Sequence, residues 1–333
     1  LMGVGQSMGF SSAMVAGAVI SGAYFGDKMS PFSDTTNLAP AMAGTDLMTH
    51  IRYMTLTSGP AIVLTLIAFS LLGMNGSGGS LSDLDLLTEE LSARVTISPW
   101  LMLIPALSIG LIIYKVDAIV AMGIGTLAGL FAAYFFQYDL LVDLTLERLG
   151  VDSFDWIHIY QQLFISTYGD TQIAMSNPLL NDLMESGGMA GMLGTIWLII
   201  CAMTFGGTLA ASGFLEVITE LFLRMAHGTA GLIVATLVTC GFFNATAADQ
   251  YLAIVVPGRM FRKAYEDRGL APENLSRALE DSGTVTSVLV PWNTCGAYQY
   301  ATLHVSAADY AIYAFFNWLS PLINATWALI GFR

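Results

Sequence analysis

Gly26-Asp27-Lys28-Met29-Ser30-Pro31-Phe32-Ser33-Asp34-Thr35-Thr36-Asn37-Leu38-Ala39-Pro40-Ala41 is a polar run between two apolar ones, residues 1–25 and 57–73. Asp27, Ser30, Ser33, Asp34, Thr35, Thr36 and Asn37 all carry side-chain oxygens, and Pro31 and Pro40 bracket most of them. Proline has no N–H to bond the carbonyl four residues back. Within a helix, Pro31 therefore frees the Asp27 carbonyl and Pro40 the Thr36 carbonyl. A segment so broken and so rich in hard oxygens survives at membrane depth only where protein or a wet cavity surrounds it. Interrupted helices of this kind build the ion and substrate sites of secondary transporters. The competing reading is a solvated loop. The scarcity of Lys and Glu in the run, and its direct passage into apolar sequence, speak against that.

Composition agrees with a membrane setting. Of 333 residues, 55% are hydrophobic and 11% charged, against about 25% charged in soluble proteins. Apolar stretches long enough to cross ~30 Å of hydrocarbon recur, and no alternating strand pattern suggests a barrel. The net charge of −13 argues against nucleic-acid binding, which needs basic patches. Cys201, Cys240 and Cys295 are odd in number and far apart, which fits packing residues better than disulfides or a zinc site. The chain starts at Leu1 inside an apolar segment, so further upstream helices are expected.

Residues 42–56 read as an amphipathic segment marked by Asp46, His50 and Arg52, followed by a span at 57–73. A loop is expected over 74–98 and spans over 99–113 and 118–136. An acidic external stretch follows at 137–189, whose aromatic part, 154–168, suits an interfacial helix. A span at 190–212 precedes an amphipathic piece at 213–227. Residues 229–262 begin as a span, break at Asn244, Thr246, Asp249 and Gln250, and resume. A hairpin there keeps Arg259, Arg262, Lys263, Arg268 and Arg277 cytoplasmic, together with Arg52, Lys115 and Arg333. A second polar run fills 280–299, and a last span is expected at 306–331. His50, His158, His227 and His304 fall near membrane edges, where interfacial solvation explains them.

The two polar runs align when Asn37 is set against Asn293, and they cross in opposite directions. That is an inverted-repeat arrangement with a site near the midplane. Pro291 would free the Ser287 carbonyl as Pro31 frees that of Asp27. The expected fold class is an all-α polytopic membrane protein with inverted repeats, broken helices and re-entrant hairpin elements. Residues 1–136 form a first repeat, truncated at its N-terminus, with the broken element 26–41. Residues 137–189 form the external acidic loop. Residues 190–333 form a second repeat with the hairpin 229–262 and the broken element 280–299.

GDKMSPFSDTTNLAP (Gly26 to Pro40), DQYLAIVVPGRM (Asp249 to Met260) and EDSGTVTSVLVPWNTCGA (Glu280 to Ala297) resemble the NhaC-type Na+/H+ antiporter family, over essentially the whole chain. The resemblance implies a secondary transporter of the bacterial cytoplasmic (inner) membrane that exchanges Na+ for H+ by alternating access. It also implies family helices upstream of Leu1. Some relatives exchange organic anions such as malate and lactate, so an organic-anion or amino-acid antiporter stays open. Na+, protons and the lipid bilayer are the expected partners, with a homodimer as the open point of assembly. No cofactor and no enzymatic activity is expected.

An exchanger needs one site that holds either Na+ or H+. A buried carboxylate does this, because desolvation lifts its pKa until proton and cation compete. Na+, a hard cation, takes carboxylate, carbonyl and hydroxyl oxygens, as its harder relatives do. Asp34 leads, with the hydroxyls of Ser30, Ser33, Thr35 and Thr36 around it. Asp27 follows, with pairing to Lys28 at the membrane edge as its alternative. Asp281 is third, and Asp249 is a weaker candidate. Asn37, Asn293, Thr284 and Thr286 would be neutral ligands, and Na+ is expected at Asp34, Asn37 and Asn293. For each aspartate the competing reading is a helix cap. An intramembrane aspartyl protease using Asp27 would need a second motif aspartate within a span, and none is seen. A passive channel would not need two antiparallel broken elements.

Overall fold

Caps and prolines cut the apolar sequence into the helices of the computed structural model, which describes residues 1–31, 33–74, 81–114, 116–149, 156–177, 180–181 and 184–331. Lys115 and Arg333, named above among the cytoplasmic residues, lie outside the described residues. The chain forms two compact units, Leu1–Gly78 with Gly194–Arg333, and Gly79–Leu193.

The first unit opens with α1 (Met2–Ser7) and α2 (Ser12–Lys28). The expected apolar run of 1–25 is thus divided, at Gly9 with φ 82°. The Ser11 hydroxyl caps α2 by accepting from the Met14 N–H at 3.3 Å. The polar run then ends α2 and starts α3 (Asp34–Ala43), with Ser33 as its N-cap. Gly44, at φ 86°, closes α3 by donating its N–H to the Pro40 carbonyl, the left-handed cap that glycine adopts freely. Asp46 caps α4 (Leu47–Met74). Hydrogen bonds from Thr49 and from the Met48 N–H hold the Asp46 carboxyl below its usual pKa range. The sequence suggested an amphipathic piece and then a separate span. Instead one helix runs through Pro60, since a membrane helix re-satisfies the carbonyl that proline frees.

The second unit holds α5 (Leu81–Arg94), α6 (Leu103–Ile113), α7 (Ala118–Phe136), α8 (Tyr138–Leu149), α9 (Trp156–Tyr168) and α10 (Gly188–Gly191). The loop expected over 74–98 is helical from Leu81, because Leu, Glu and Ala favour helix despite the acidic charge. α9 takes up the aromatic stretch. A two-residue antiparallel ladder pairs Thr171 with Ser186 and Gln172 with Glu185.

Back in the first unit follow α11 (Leu193–Ala211), α12 (Phe214–Met225), α13 (Gly228–Thr246), α14 (Gln250–Asp267) and α15 (Pro272–Ala278). A π-helical turn, Leu279–Thr284, and a 3-10 turn, Ser287–Leu289, lead into α16 (Thr294–Leu303), α17 (Ala307–Tyr310) and α18 (Phe315–Leu329). The expected last span is thus broken between α17 and α18. Among the described residues, Leu47–Met74, Ile119–Phe136, Gly188–Ala211 and Gly228–Thr246 are long and apolar enough to cross a membrane. Thr88–Arg94 with Pro99–Ile113, bent by 88°, is a further candidate. Exposed Leu64, Leu66, Ile67 and Leu71 on α4, and Ile119, Met122, Leu127 and Phe131 on α7, give these helices the apolar surface that lipid requires.

α13 and α14 pack along each other. Between them Asp249 caps α14, accepting from the Leu252 N–H at 3.0 Å. Ala248 sits at φ 57°, and its carbonyl accepts from the Thr294 N–H at 3.0 Å. The left-handed conformation costs a residue with a Cβ roughly 1–2 kcal/mol. Glycine's extra unfolded-chain entropy offsets part of this, so Ala248→Gly is expected to stabilise by about 0.5–1 kcal/mol. The check is a raised unfolding midpoint in detergent. A lowered midpoint would show that the tip is not strained.

Two apolar clusters flank the π-helical turn. One joins Ala39, Leu237, Cys240, Ile254, Phe261, Leu275 and Leu279. The other joins Ile20, Ala61, Val285, Val288, Tyr310 and Phe316. Glu280–Thr284 lies in sequence between Leu279 of the first and Val285 of the second, so polar groups are confined to a buried seam.

Candidate functional site

The buried seam is built from both polar runs. Lys28, the last residue of α2, and Asp281, in the π-helical turn, are fully buried. They form an ion pair across 253 residues of chain. Asp281 is saturated. Its Oδ1 also accepts from Ser320 Oγ at 2.8 Å and Thr57 Oγ1 at 3.1 Å, and its Oδ2 accepts from Asn324 Nδ2 at 2.7 Å. Lys28 Nζ donates to Ser320 Oγ at 2.8 Å and lies 5.6 Å from the Phe316 ring centroid. The alternative pairing of Asp27 with Lys28 is not what forms. A partner so distant in the chain leaves no local signal in the sequence.

Glu280 is the second fully buried carboxylate of the turn, and sequence reading passed over it as a site residue. Its Oε1 accepts from Thr35 Oγ1 at 3.2 Å, and among the described residues Oε2 has no well-formed partner. Thr35 Oγ1 lies 3.1 Å from Ser33 Oγ. Ser33 is within hydrogen-bonding reach of the Asp27 carboxylate, whose side chain is exposed. Thr284 Oγ1, one turn on, is within hydrogen-bonding reach of the Glu280 carboxylate, yet among the described residues it makes no hydrogen bond of good geometry.

The remaining candidates lie around this centre. Thr36 is buried, and its hydroxyl faces the carbonyls of Asp27 at 3.3 Å and Lys28 at 3.2 Å. The Asp27 carbonyl that Pro31 cannot serve also accepts from the Ser30 N–H at 3.0 Å. Asp34 is exposed at the first turn of α3, where its carboxylate accepts from the Thr35 N–H and from the Tyr251 hydroxyl. Asn37 is also exposed and donates to the carbonyls of Ser33 at 2.6 Å and Pro31 at 2.9 Å. Asp249, Tyr24, Tyr251, Thr294, Cys295 and Tyr298 line an open cleft of about 260 Å³.

Asn293 and Thr286 brace the two breaks against each other. Asn244 Nδ2 donates to the Gly283 carbonyl at 2.8 Å and to Thr286 Oγ1 at 2.9 Å. Asn293 Nδ2 donates to the Asn244 carbonyl at 3.0 Å, while its Oδ1 caps α16 through the Cys295 N–H.

Two residues expected at solvated edges are buried. His50 is fully enclosed, with Nδ1 2.8 Å from Ser276 Oγ. Arg277, assigned to the cytoplasmic basic cluster, is also fully enclosed. Its guanidinium lies 4.7 Å from the Tyr53 ring centroid and, among the described residues, bonds only Asn274, with Nε and Nη1 unpartnered. Sequence alone places both in water, where polar residues near helix ends usually lie. Packing of α15 against α4 and α3 encloses them instead.

A model of the Na+/H+ antiporter family matches residues 22–332. The chain is 34% identical over 331 residues to the Na(+)/H(+) antiporter NhaC of Alkalihalophilus pseudofirmus, covering 99% of this chain and 68% of that protein. It is 30% identical to NhaC of Bacillus subtilis, covering 100% of this chain and 69% of the relative. It is also 31% identical to the malate-2H(+)/Na(+)-lactate antiporter of Bacillus subtilis, covering 96% and 64% respectively. No solved structure shows a significant match. Sequence motifs, helical membrane architecture and these similarities agree: the chain belongs to the Na+/H+ antiporter family.

Proposed function

We propose that this chain exchanges Na+ for H+ across the cytoplasmic membrane at the buried seam between its two polar runs. One observation carries the reading. Glu280 and Asp281 are adjacent and fully buried, yet only Asp281 holds a bonded cation, Lys28. A buried carboxylate without a bonded cation is stable only when a proton or a metal ion neutralises it. It cannot hold both, so loading one ion expels the other. Alternating access follows by analogy with inverted-repeat transporters. Asp34, exposed and linked to Tyr251 beside the cleft, is suited to draw a cation from water towards Thr35 and Glu280.

Arg277 favours a second reading. A buried guanidinium with two unpartnered nitrogens suits a carboxylate ligand, and a relative is a malate/lactate antiporter by name.

The deciding experiment uses full-length protein in liposomes with a pH dye inside. A Na+ pulse alone is expected to move protons. Proton movement that required added malate or lactate would replace the ion exchanger with the organic-anion reading.

A further inference from the structure

We propose that Glu280 Oε2, with the hydroxyls of Thr284 and Thr35, is the Na+ site, and that Asp281 is a structural anchor outside it. This deepens the exchange reading and rests on it. The two carboxylates differ in what already surrounds them. Asp281 accepts four hydrogen bonds, from Lys28, Thr57, Ser320 and Asn324. A cation there would have to displace an ammonium and several donors.

Among the described residues Glu280 accepts one well-formed bond, from Thr35, and Oε2 has no well-formed partner. Thr284 is 1% exposed, and its hydroxyl lies within reach of the Glu280 carboxylate without a well-formed bond among the described residues. Unpartnered buried oxygens are rare in folded proteins and call for an explanation such as a missing ion or water. Here the two lie side by side, four residues apart on one turn. The Ser33 hydroxyl adds a further oxygen 3.1 Å from that of Thr35. One carboxylate among hydroxyls is the donor set of a small hard cation.

The nearby cations do not occupy the site. Lys28 is committed to Asp281 and Ser320, and Arg277 stacks on Tyr53 and bonds Asn274. Neighbouring positions on the helical turn face different elements, Glu280 towards α3 and Asp281 towards α4 and α18.

The test measures binding of radioactive Na+ to purified full-length protein in detergent. Glu280→Gln is expected to lower Na+ affinity about ten- to a hundredfold, the effect of removing the charged ligand. Thr284→Ala is expected to lower it about three- to tenfold, and Thr284→Ser, which keeps the hydroxyl, to restore it. Wild-type affinity in Glu280→Gln, or equal loss in Thr284→Ala and Thr284→Ser, would overturn the proposal. If Glu280→Gln is not recovered folded, the two Thr284 variants decide alone. Wild-type protein that binds Na+ but moves no protons would refute the exchange reading and leave the site standing. Proton exchange in the wild type, with full Na+ binding in Glu280→Gln, would do the reverse.

Discussion

Lys28→Met is expected to destabilise the protein by about 3–5 kcal/mol, the usual effect of removing one partner of a buried ion pair. Methionine keeps most of the lysine stem, so the loss is electrostatic rather than a cavity. Asp281 keeps its bonds from Thr57, Ser320 and Asn324, but a carboxylate without its ammonium is left fully buried. Unfolding midpoints in detergent should fall well below the wild type. The double variant Lys28→Met/Asp281→Asn removes both charges and should regain most of the lost stability, because a neutral amide can use the same polar neighbours. Measured with the single variant Asp281→Asn as well, the cycle isolates the pair from its surroundings. If Lys28→Met alone unfolds like the wild type, the pair contributes nothing to the fold. If the double variant is no better than the single, the damage comes from packing.

Gly296→Ala is the other change with a large expected effect. A Cβ there would stand 2.1 Å from the Val290 carbonyl oxygen and 3.0 Å from its carbon. These atoms are backbone in the second break and cannot rotate aside, so α16 or the break must move by about an ångström. Overpacking of this kind costs typically 1–3 kcal/mol and occasionally more. The displacement would strain the Asn293–Asn244 bond that ties the break to α13. Reduced folded yield and slowed transport are expected together. Gly22→Ala is the matched control, since nothing lies within 4 Å of its added Cβ. An equal effect at both positions would mean that the close approach at Gly296 is unimportant.

Much of the architecture was legible in the sequence because local chemistry dictated it. Pro31, Pro291 and the hydroxyl-rich runs marked where helices stop, and Asn244 to Gln250 marked the tip between α13 and α14. Which carboxylate is enclosed was not legible. Asp34 and Asp281 each stand among hydroxyls in sequence, but Ser33 caps α3, which places Asp34 in an exposed first turn. The enclosure of Asp281 depends on Lys28, Thr57, Ser320 and Asn324, none of them near it in the chain. The same holds for Glu280, whose bonded hydroxyl is Thr35 of the opposite run. His50 and Arg277 were misplaced for the converse reason, since their burial comes wholly from tertiary packing.

The bond from Lys28 to Asp281 also constrains the order of assembly in the cell. The partners are 253 residues apart, and synthesis proceeds at about 5–20 residues per second. Lys28 thus leaves the ribosome tens of seconds before its counter-ion, at the end of a helix whose sequence favours the bilayer. A lysine at a helix end can reach the headgroups along its stem, which spares it the roughly 2.5–3.5 kcal/mol that a lysine at a helix centre costs. Until the π-helical turn arrives, α2 is therefore expected to sit shallow, with Lys28 reaching the headgroups, and to sink only when Asp281 is delivered. The ion pair would then act as a completion signal, locking the early helix in place once the late one exists.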